Sequence, residues 1–390
     1  MALIAVLVML PAVLLGCGEQ TEQEEPKAEE ETIKVGCVLS MSGALGAMGT
    51  KMTGAVKMAV EEINAEGGIN GKQVELIVED DATDAAQCLN AVKKMHSVDG
   101  VNLMIAGMTS GAAEAIGPYL AENKVLAVSP SATSPTLTGK PWRDYFFRTA
   151  PSDAFQGKAM AELALNEELS KIVVFAMDNP YGIGLGEAAQ EALKEKGVEI
   201  VDFVKYDPAK LDYLTELTHI KSLNPDCVIH VGYNDDGRIV YKQALDLGLD
   251  DIKWIACDGL YGTGMLETEQ SKEFMLKAVI GTRPAAPEGV EEYESFKQAF
   301  KEKYNSEAEV FCDTAYDAMK IIALAVNNAG STNADAVSAE MKNVKDYQGA
   351  SGSISFDDSG DRVSAVYEVW DVVEEGGEVI FKRIDTIELK

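Results

Sequence analysis

Histidine is scarce in this chain, three in 390 residues: His96, His219 and His230. A hydrolase built on a nucleophile and an imidazole base has few groups to draw on here. His96 and His219 fall in helix-period segments and His230 inside an apolar strand-like run, where an imidazole reads as packing or surface rather than as a base. Basic residues are also few, 34 against 64 acidic ones, for a net charge of −30. A chain so acidic repels phosphate backbones and anionic surfaces, which argues against nucleic acid as a partner. The six cysteines never form a C-x-x-C, so a metal site is not expected. Five of them, Cys37, Cys88, Cys227, Cys257 and Cys312, are scattered mostly through apolar runs and predict buried free thiols. The apolar run at residues 1–16 falls short of the roughly 20 residues that span a bilayer.

That run, "MALIAVLVMLPAVLLG", reads as the core of a signal peptide. Its ending "LLGC" resembles a bacterial lipoprotein signal, in which Cys17 is lipidated and becomes the new N-terminus. No Lys or Arg precedes the run, a departure from the usual positive start. Residues 18–32 carry seven glutamates and no large apolar side chain, so they cannot bury enough surface to order themselves and predict a self-repelling tether. The layout at this end is signal peptide 1–16, then lipidated Cys17 and acidic tether 17–32. It implies a body held outside the cytoplasmic membrane.

From Ile33 onward, apolar strand-like runs alternate with helix-period segments, the pattern of α/β architecture. "IKVGCVLS", "VELIVEDD", "VNLMIAG" and "VLAVSP" predict strands, with helices between them that include 85–96 and 112–123. After "YFFRTAP" the alternation restarts with "KIVVFAMD", "VEIVDFVKY", "CVIHVG" and "WIACDG", and helices at 185–196 and 238–247. Two αβ lobes of similar plan are implied. The remaining pieces, ending in a hairpin through Gly376 and Gly377, are too few for a third domain. They complete the first two, so the chain crosses between lobes three times, with 33–149 plus 284–355 in one and 150–283 plus 356–390 in the other.

In open parallel sheets, ligands sit beyond the carboxyl ends of the strands, where helix N-termini also point. In the first lobe those ends carry "GMTSG" (107–111) and "SPSAT" (129–133), hydroxyls and backbone N–H groups suited to a carboxylate. In the second they carry "DNPYG" (178–182), "GYND" (232–235) and "CDG" (257–259), aromatics and a carboxylate. An anion seat facing a cation seat matches a free amino acid, provided each buried charge is paired. Catalysis is poorly served: "GMTSG" puts Thr109 where a G-x-S-x-G elbow needs Ser. "GIGLG" (182–186) has the wrong spacing for a dinucleotide loop and reads as a helix-start turn. "EDDATD" (79–84) and "FDDSGD" (356–361) miss the EF-hand spacing and read as solvated turns. Met52, Met58, Met95, Tyr119 and Tyr316 read as packing.

Taken in order, "IKVGCVLSMSGALGAMG", "AVEEINAEGGINGKQVELIVEDDATD", "SPSATSPTLT", "FFRTAPSDAFQG", "NPYGIGLGEA" and "ISFDDSGD" resemble the leucine/isoleucine/valine-binding proteins, substrate-binding components of branched-chain amino acid ABC transporters. The resemblance runs from about Ile33 to the C-terminus. It implies a type I periplasmic-binding-protein fold, two Rossmann-like lobes joined by three hinge crossovers and closing on a solute. Carried over motif by motif, Ser110 and Thr133 would hold the ligand carboxylate; Ser131 through its backbone carbonyl, Thr133 and Asp258 would hold the ammonium, and Ala132 of the same "SPSAT" turn is expected among the ligand-binding residues. Tyr181 and Tyr233 would close over the ligand, and Met48, Met108, Thr109 and Phe311 would shape the side-chain end. Met48 stands where relatives commonly carry an aromatic, and Asp258 where a longer glutamate is familiar. No cofactor, no metal and no chemistry are implied; the expected partners are a free amino acid, a membrane permease and the membrane through a lipid anchor, with the body a monomer. The same fold binding an amide, urea or an aromatic carboxylate, or serving as a ligand sensor, stays open as the alternative.

Overall fold

The computed structural model describes residues 32–363 and 365–389. The signal-peptide, Cys17 and tether expectations therefore lie outside the described residues. The first sheet is built from β1 (Ile33–Leu39), β2 (Val74–Asp80), β3 (Leu103–Ala106), β4 (Leu126–Ser129) and β5 (Phe146–Arg148), all parallel, in the order β2-β1-β3-β4-β5. Its inner strands are buried on both faces, as parallel strands covered by helices are. α1 (Gly46–Ala65) packs on one face; α2 (Ala85–Ser97) and α3 (Ser110–Asn123) cover the other.

The chain then continues through α4 (Asp153–Asn166), β6 (Lys171–Met177), α5 (Pro180–Glu195), β7 (Glu199–Tyr206), α6 (Leu214–Leu223), β8 (Cys227–Val231), α7 (Asn234–Asp246), β9 (Lys253–Ala256), α8 (Glu269–Ala278) and β10 (Val279–Pro284). It returns to the first half for α9 (Glu291–Tyr304), α10 (Cys312–Ala329), α11 (Ala334–Lys342) and the small ribbon β11 (Tyr347–Gly349) and β12 (Gly352–Ile354). α9, α10 and α11 join α1 in one apolar cluster with β1, β3 and β4. A last crossing brings β13 (Ala365–Glu375) and β14 (Glu378–Leu389) to the second sheet, ordered β14-β13-β10-β9-β8-β6-β7. β6 to β10 are parallel, and β13 and β14 pair antiparallel on the β10 edge. This is the expected α/β fold with three crossovers.

The three crossovers are stitched to one another. Arg362 forms isolated bridges with Pro151 and Phe356, and its guanidinium donates to the carbonyls of Thr149 (3.2 Å), Ser351 (2.7 Å) and Ser353 (2.9 Å). Ala285 N donates to Val366 O at 2.8 Å, tying the segment after β10 to the start of β13.

Several elements differ from the sequence reading. α4, α8 and α11 were not anticipated: α8 and α11 are short, and α4, with apolar residues all round it, gives little periodic signal. Helices expected at 112, 185 and 238 begin earlier, at Ser110, Pro180 and Asn234. The extra turns come from caps: Thr109 Oγ1 accepts from Ala112 N (3.1 Å), and Asn179 Oδ1 accepts from Gly182 N (2.8 Å). "GIGLG" therefore lies inside the first turns of α5 rather than in a start turn, and Gly184 is needed because a Cβ there would meet Ser134 Oγ at 2.1 Å. The two acidic turns are not simply solvated. Asp81 is buried and accepts from Ser40 Oγ (2.6 Å), and Asp361 is buried between Arg143 and Arg148. The five described cysteines are buried and unpaired, as expected.

Candidate ligand-binding site

Where β1 lies between β2 and β3, and β6 between β7 and β8, consecutive connections leave toward opposite faces, and a crevice opens beyond the strand ends. The predicted residues come from the segments following β1, β3, β4, β6, β8 and β9, with Phe311 added just before α10. Met48, Met108, Thr109, Ser110, Ser131, Tyr181, Tyr233, Asp258 and Phe311 line one cavity of about 20 Å³, together with Leu45 and Gly259. That volume is room for a water molecule or two. Ala132 and Thr133 are buried but do not line it.

The hydroxyl-rich turn after β4 is held from inside. Ser129 Oγ donates to Gly107 O (2.7 Å) and accepts from Ala132 N (2.9 Å), and Ser131 Oγ donates to Met108 O (2.8 Å). Ser110 Oγ accepts from Ser134 N (3.2 Å), joining the start of α3 to the same turn. Behind it stands Arg148, fully buried, whose guanidinium donates to the carbonyls of Ala132 (3.2 Å) and Ser134 (2.9 Å) and grips Asp361 in a two-point contact (2.5 and 2.9 Å). The Ala132 carbonyl is thus already engaged by the protein. Burial alone would raise the Asp361 carboxyl, but Arg148 and Arg143 outweigh it and hold it below the usual carboxylate range.

On the opposite side, Tyr181 OH donates to Asp258 Oδ1 (2.9 Å) and its ring stacks on Tyr233 at 5.4 Å and 6°. Burial, with the Asp258 charge next, pushes both phenols well above 10, so they are neutral donors. Asp258 is raised by burial, with Tyr181 and Gln156 opposing. Gly259 admits this packing, since a Cβ would meet Gly232 O at 2.5 Å. Leu45, Met48, Met108 and Phe311 supply the apolar wall. Phe311 has φ 67°, a strained backbone for a bulky residue, and also lines a second cavity of about 440 Å³ bounded by Pro151, Arg283 and Arg362.

Sequence reasoning missed Leu45, Gly259, Arg148, Asp361, Asp153 and Gln156. A lone arginine in the apolar "YFFRTAP" was the available signal for Arg148; its partner lies 213 residues away. His230 is buried in the second core, touching Tyr206 OH at 3.1 Å, and burial pulls its pKa down to about 3.

Two αβ halves with three crossovers, meeting at a cavity with hydroxyls on one wall and a tyrosine-bound carboxylate on the other, define the type I solute-binding fold. The comparisons agree. A family model described as periplasmic binding protein matches residues 32–377, and the chain belongs to this family of extracytoplasmic transporter components. A Leu/Ile/Val-binding protein homolog of Brucella melitensis is 30% identical over 352 residues, 87% of this chain and 91% of that one. A branched-chain amino acid transporter substrate binding protein of Streptococcus pneumoniae, solved in complex with isoleucine, is 26% identical with a TM-score of 0.77, covering 91% of this chain and 100% of its own. A solute binding protein of an ABC transporter from Rhodopseudomonas palustris, solved with 3,4-dihydroxy benzoic acid, shares the fold at a TM-score of 0.79 and 21% identity, covering 92% and 97%.

Proposed function

We propose that this chain captures a free amino acid with an aliphatic, branched side chain between its two lobes and delivers it to an ABC permease, tethered to the membrane through a lipid on Cys17. The observation that carries the reading is the pairing, at one cavity, of Ser110 and Ser131 on one wall with Asp258 and Tyr181 on the other. The first wall, with Thr133 behind it, seats the carboxylate. The second, with the Ser131 carbonyl, seats the ammonium, and Leu45, Met48, Met108 and Phe311 enclose the side chain. The lobes, 33–149 plus 284–355 and 150–283 plus 356–390, part to admit the solute and close over it, because a solute touching both biases the closed state. Binding involves no bond-making. The tether raises the effective concentration of loaded protein near its permease.

Thermal melting against a panel of L-amino acids, amides, urea and aromatic carboxylates tests this. A ligand at 100 times its dissociation constant stabilises the folded state by about 2.7 kcal/mol. A raised midpoint with Leu, Ile or Val supports the reading; a rise only with ligands lacking an ammonium sinks it.

A further inference from the structure

Behind the cavity lies a group of buried polar atoms with nothing to bind. Asp153 opens α4 and is fully buried, and among the described residues no hydrogen bond of good geometry reaches its carboxyl oxygens, the Thr133 hydroxyl standing beside them as a donor. Oε1 of Gln156, also buried, is unpaired as well. The backbone holds these side chains in place: Asp153 N donates to Thr133 O at 2.8 Å, and Gln156, one turn along α4, donates through Nε2 to Thr282 O at 3.1 Å. Gln156 also faces Asp258, and the Asp258 charge raises the Asp153 carboxyl. Unpaired acceptors at this depth are costly unless something supplies donors.

Among the described residues the surroundings offer no free cation. Arg148 faces Asp153 but is taken by Asp361 and two carbonyls. Tyr181 and Tyr233, from α5 and the start of α7, and Tyr367 on β13 face the pair as neutral phenols, and Cys257 beside Asp258 as a neutral thiol. Burial first, and the Asp258 charge second, push the Asp153 carboxyl well above 3.8, while Thr133 and Arg148 pull it down. Two carboxyls in one dry seat do not both ionise without a countercharge.

We propose that Asp153 is the second acid of the cation seat: unliganded, Asp153 and Asp258 hold one proton between them, and the ammonium of the ligand displaces it. The proposal rests on the amino-acid reading above. The displaced proton goes to solvent and the ammonium charge replaces it, so affinity rises by up to tenfold per pH unit below the apparent pKa of the pair and levels off above it. An amide, urea or an aromatic carboxylate brings no positive charge to exchange for the proton. Asp153 thereby favours amino acids over the other solutes this fold accommodates, acting as a positioning residue through Asp258.

The test is calorimetric titration of the full chain with L-leucine between about pH 5 and pH 8, in buffers of different ionisation enthalpy, for the parent and Asp153→Asn. The parent is expected to release about one proton and to show the pH slope; Asp153→Asn is expected to release none and to lose the slope. Leucine binding by the parent without proton release, or an unchanged slope in the variant, overturns the proposal. If no amino acid on the melting panel binds, the ligand reading fails by itself, and the pair is judged on the unliganded chain. There the melting midpoint of Asp153→Asn relative to the parent should climb as pH rises, because a carboxyl raised by folding costs stability as pH passes upward through its folded pKa; a constant difference overturns the proposal. Should Asp153→Asn not fold, Asp258→Asn takes its place in the same unliganded comparison, with the same two outcomes.

Discussion

Asp361 shows how much a single carboxylate can organise. It lies in a turn that reads as solvated, yet it pairs with both Arg148 and Arg143 in a buried network, and Arg148 in turn fixes the Ala132 and Ser134 carbonyls behind the hydroxyl turn. Removing one partner leaves a buried charge without compensation, so Asp361→Asn is expected to cost about 3–5 kcal/mol in chemical denaturation. The sign with pH follows from its lowered pKa. Its contribution is present above the unfolded carboxylate range and disappears as pH falls through the folded value. The acid limb of the stability curve should therefore be shallower in Asp361→Asn than in the parent. The hydroxyls, tyrosines and Asp258 were legible because each follows an apolar run at a strand end. Asp153, Arg148 and Gln156 were not, since their roles depend on partners far along the chain.

At the scale of elements, the site is assembled from helix N-termini. Ser110 is the first residue of α3, Tyr181 the second of α5, Tyr233 the cap of α7 and Asp153 the first of α4. The turn that starts each helix thereby also sets a side chain at the cavity or, for Asp153, behind it. Asn179→Ala removes the hydrogen bond to Gly182 N and is expected to cost about 1 kcal/mol. It should also weaken ligand binding, because Tyr181 rides on that first turn; melting midpoint and calorimetric affinity measured together check both effects. The strands were readable from apolar runs and most helices from their spacing, while α4, α8 and α11 escaped because their apolar spacing is mixed or their length short.

For the whole molecule, the chain passes between the two halves at three crossovers, which Arg362 and the Ala285–Val366 contact bind into one unit. Such a joint permits rotation while keeping the halves in register. Small-angle X-ray scattering should show a smaller radius of gyration when the ligand identified by melting is added at saturation; no change would mean the halves do not close. The net charge of −30 belongs to this scale as well. It keeps the body from anionic surfaces, so approach to a membrane partner must rest on an anchor or on local complementarity.

The sequence by itself determined the α/β alternation, the strand-end segments and the chemical character of both walls. These are local properties, set by hydrophobic periodicity and by residue types beside turns. Only the tertiary structure decided that Arg148 pairs with Asp361, 213 residues further along the chain. It also decided that Asp153 joins Asp258 behind the cavity. Pairings of that kind depend on which distant residues share a water-poor space, where a charge must find its partner, and one-dimensional order carries no record of that distance.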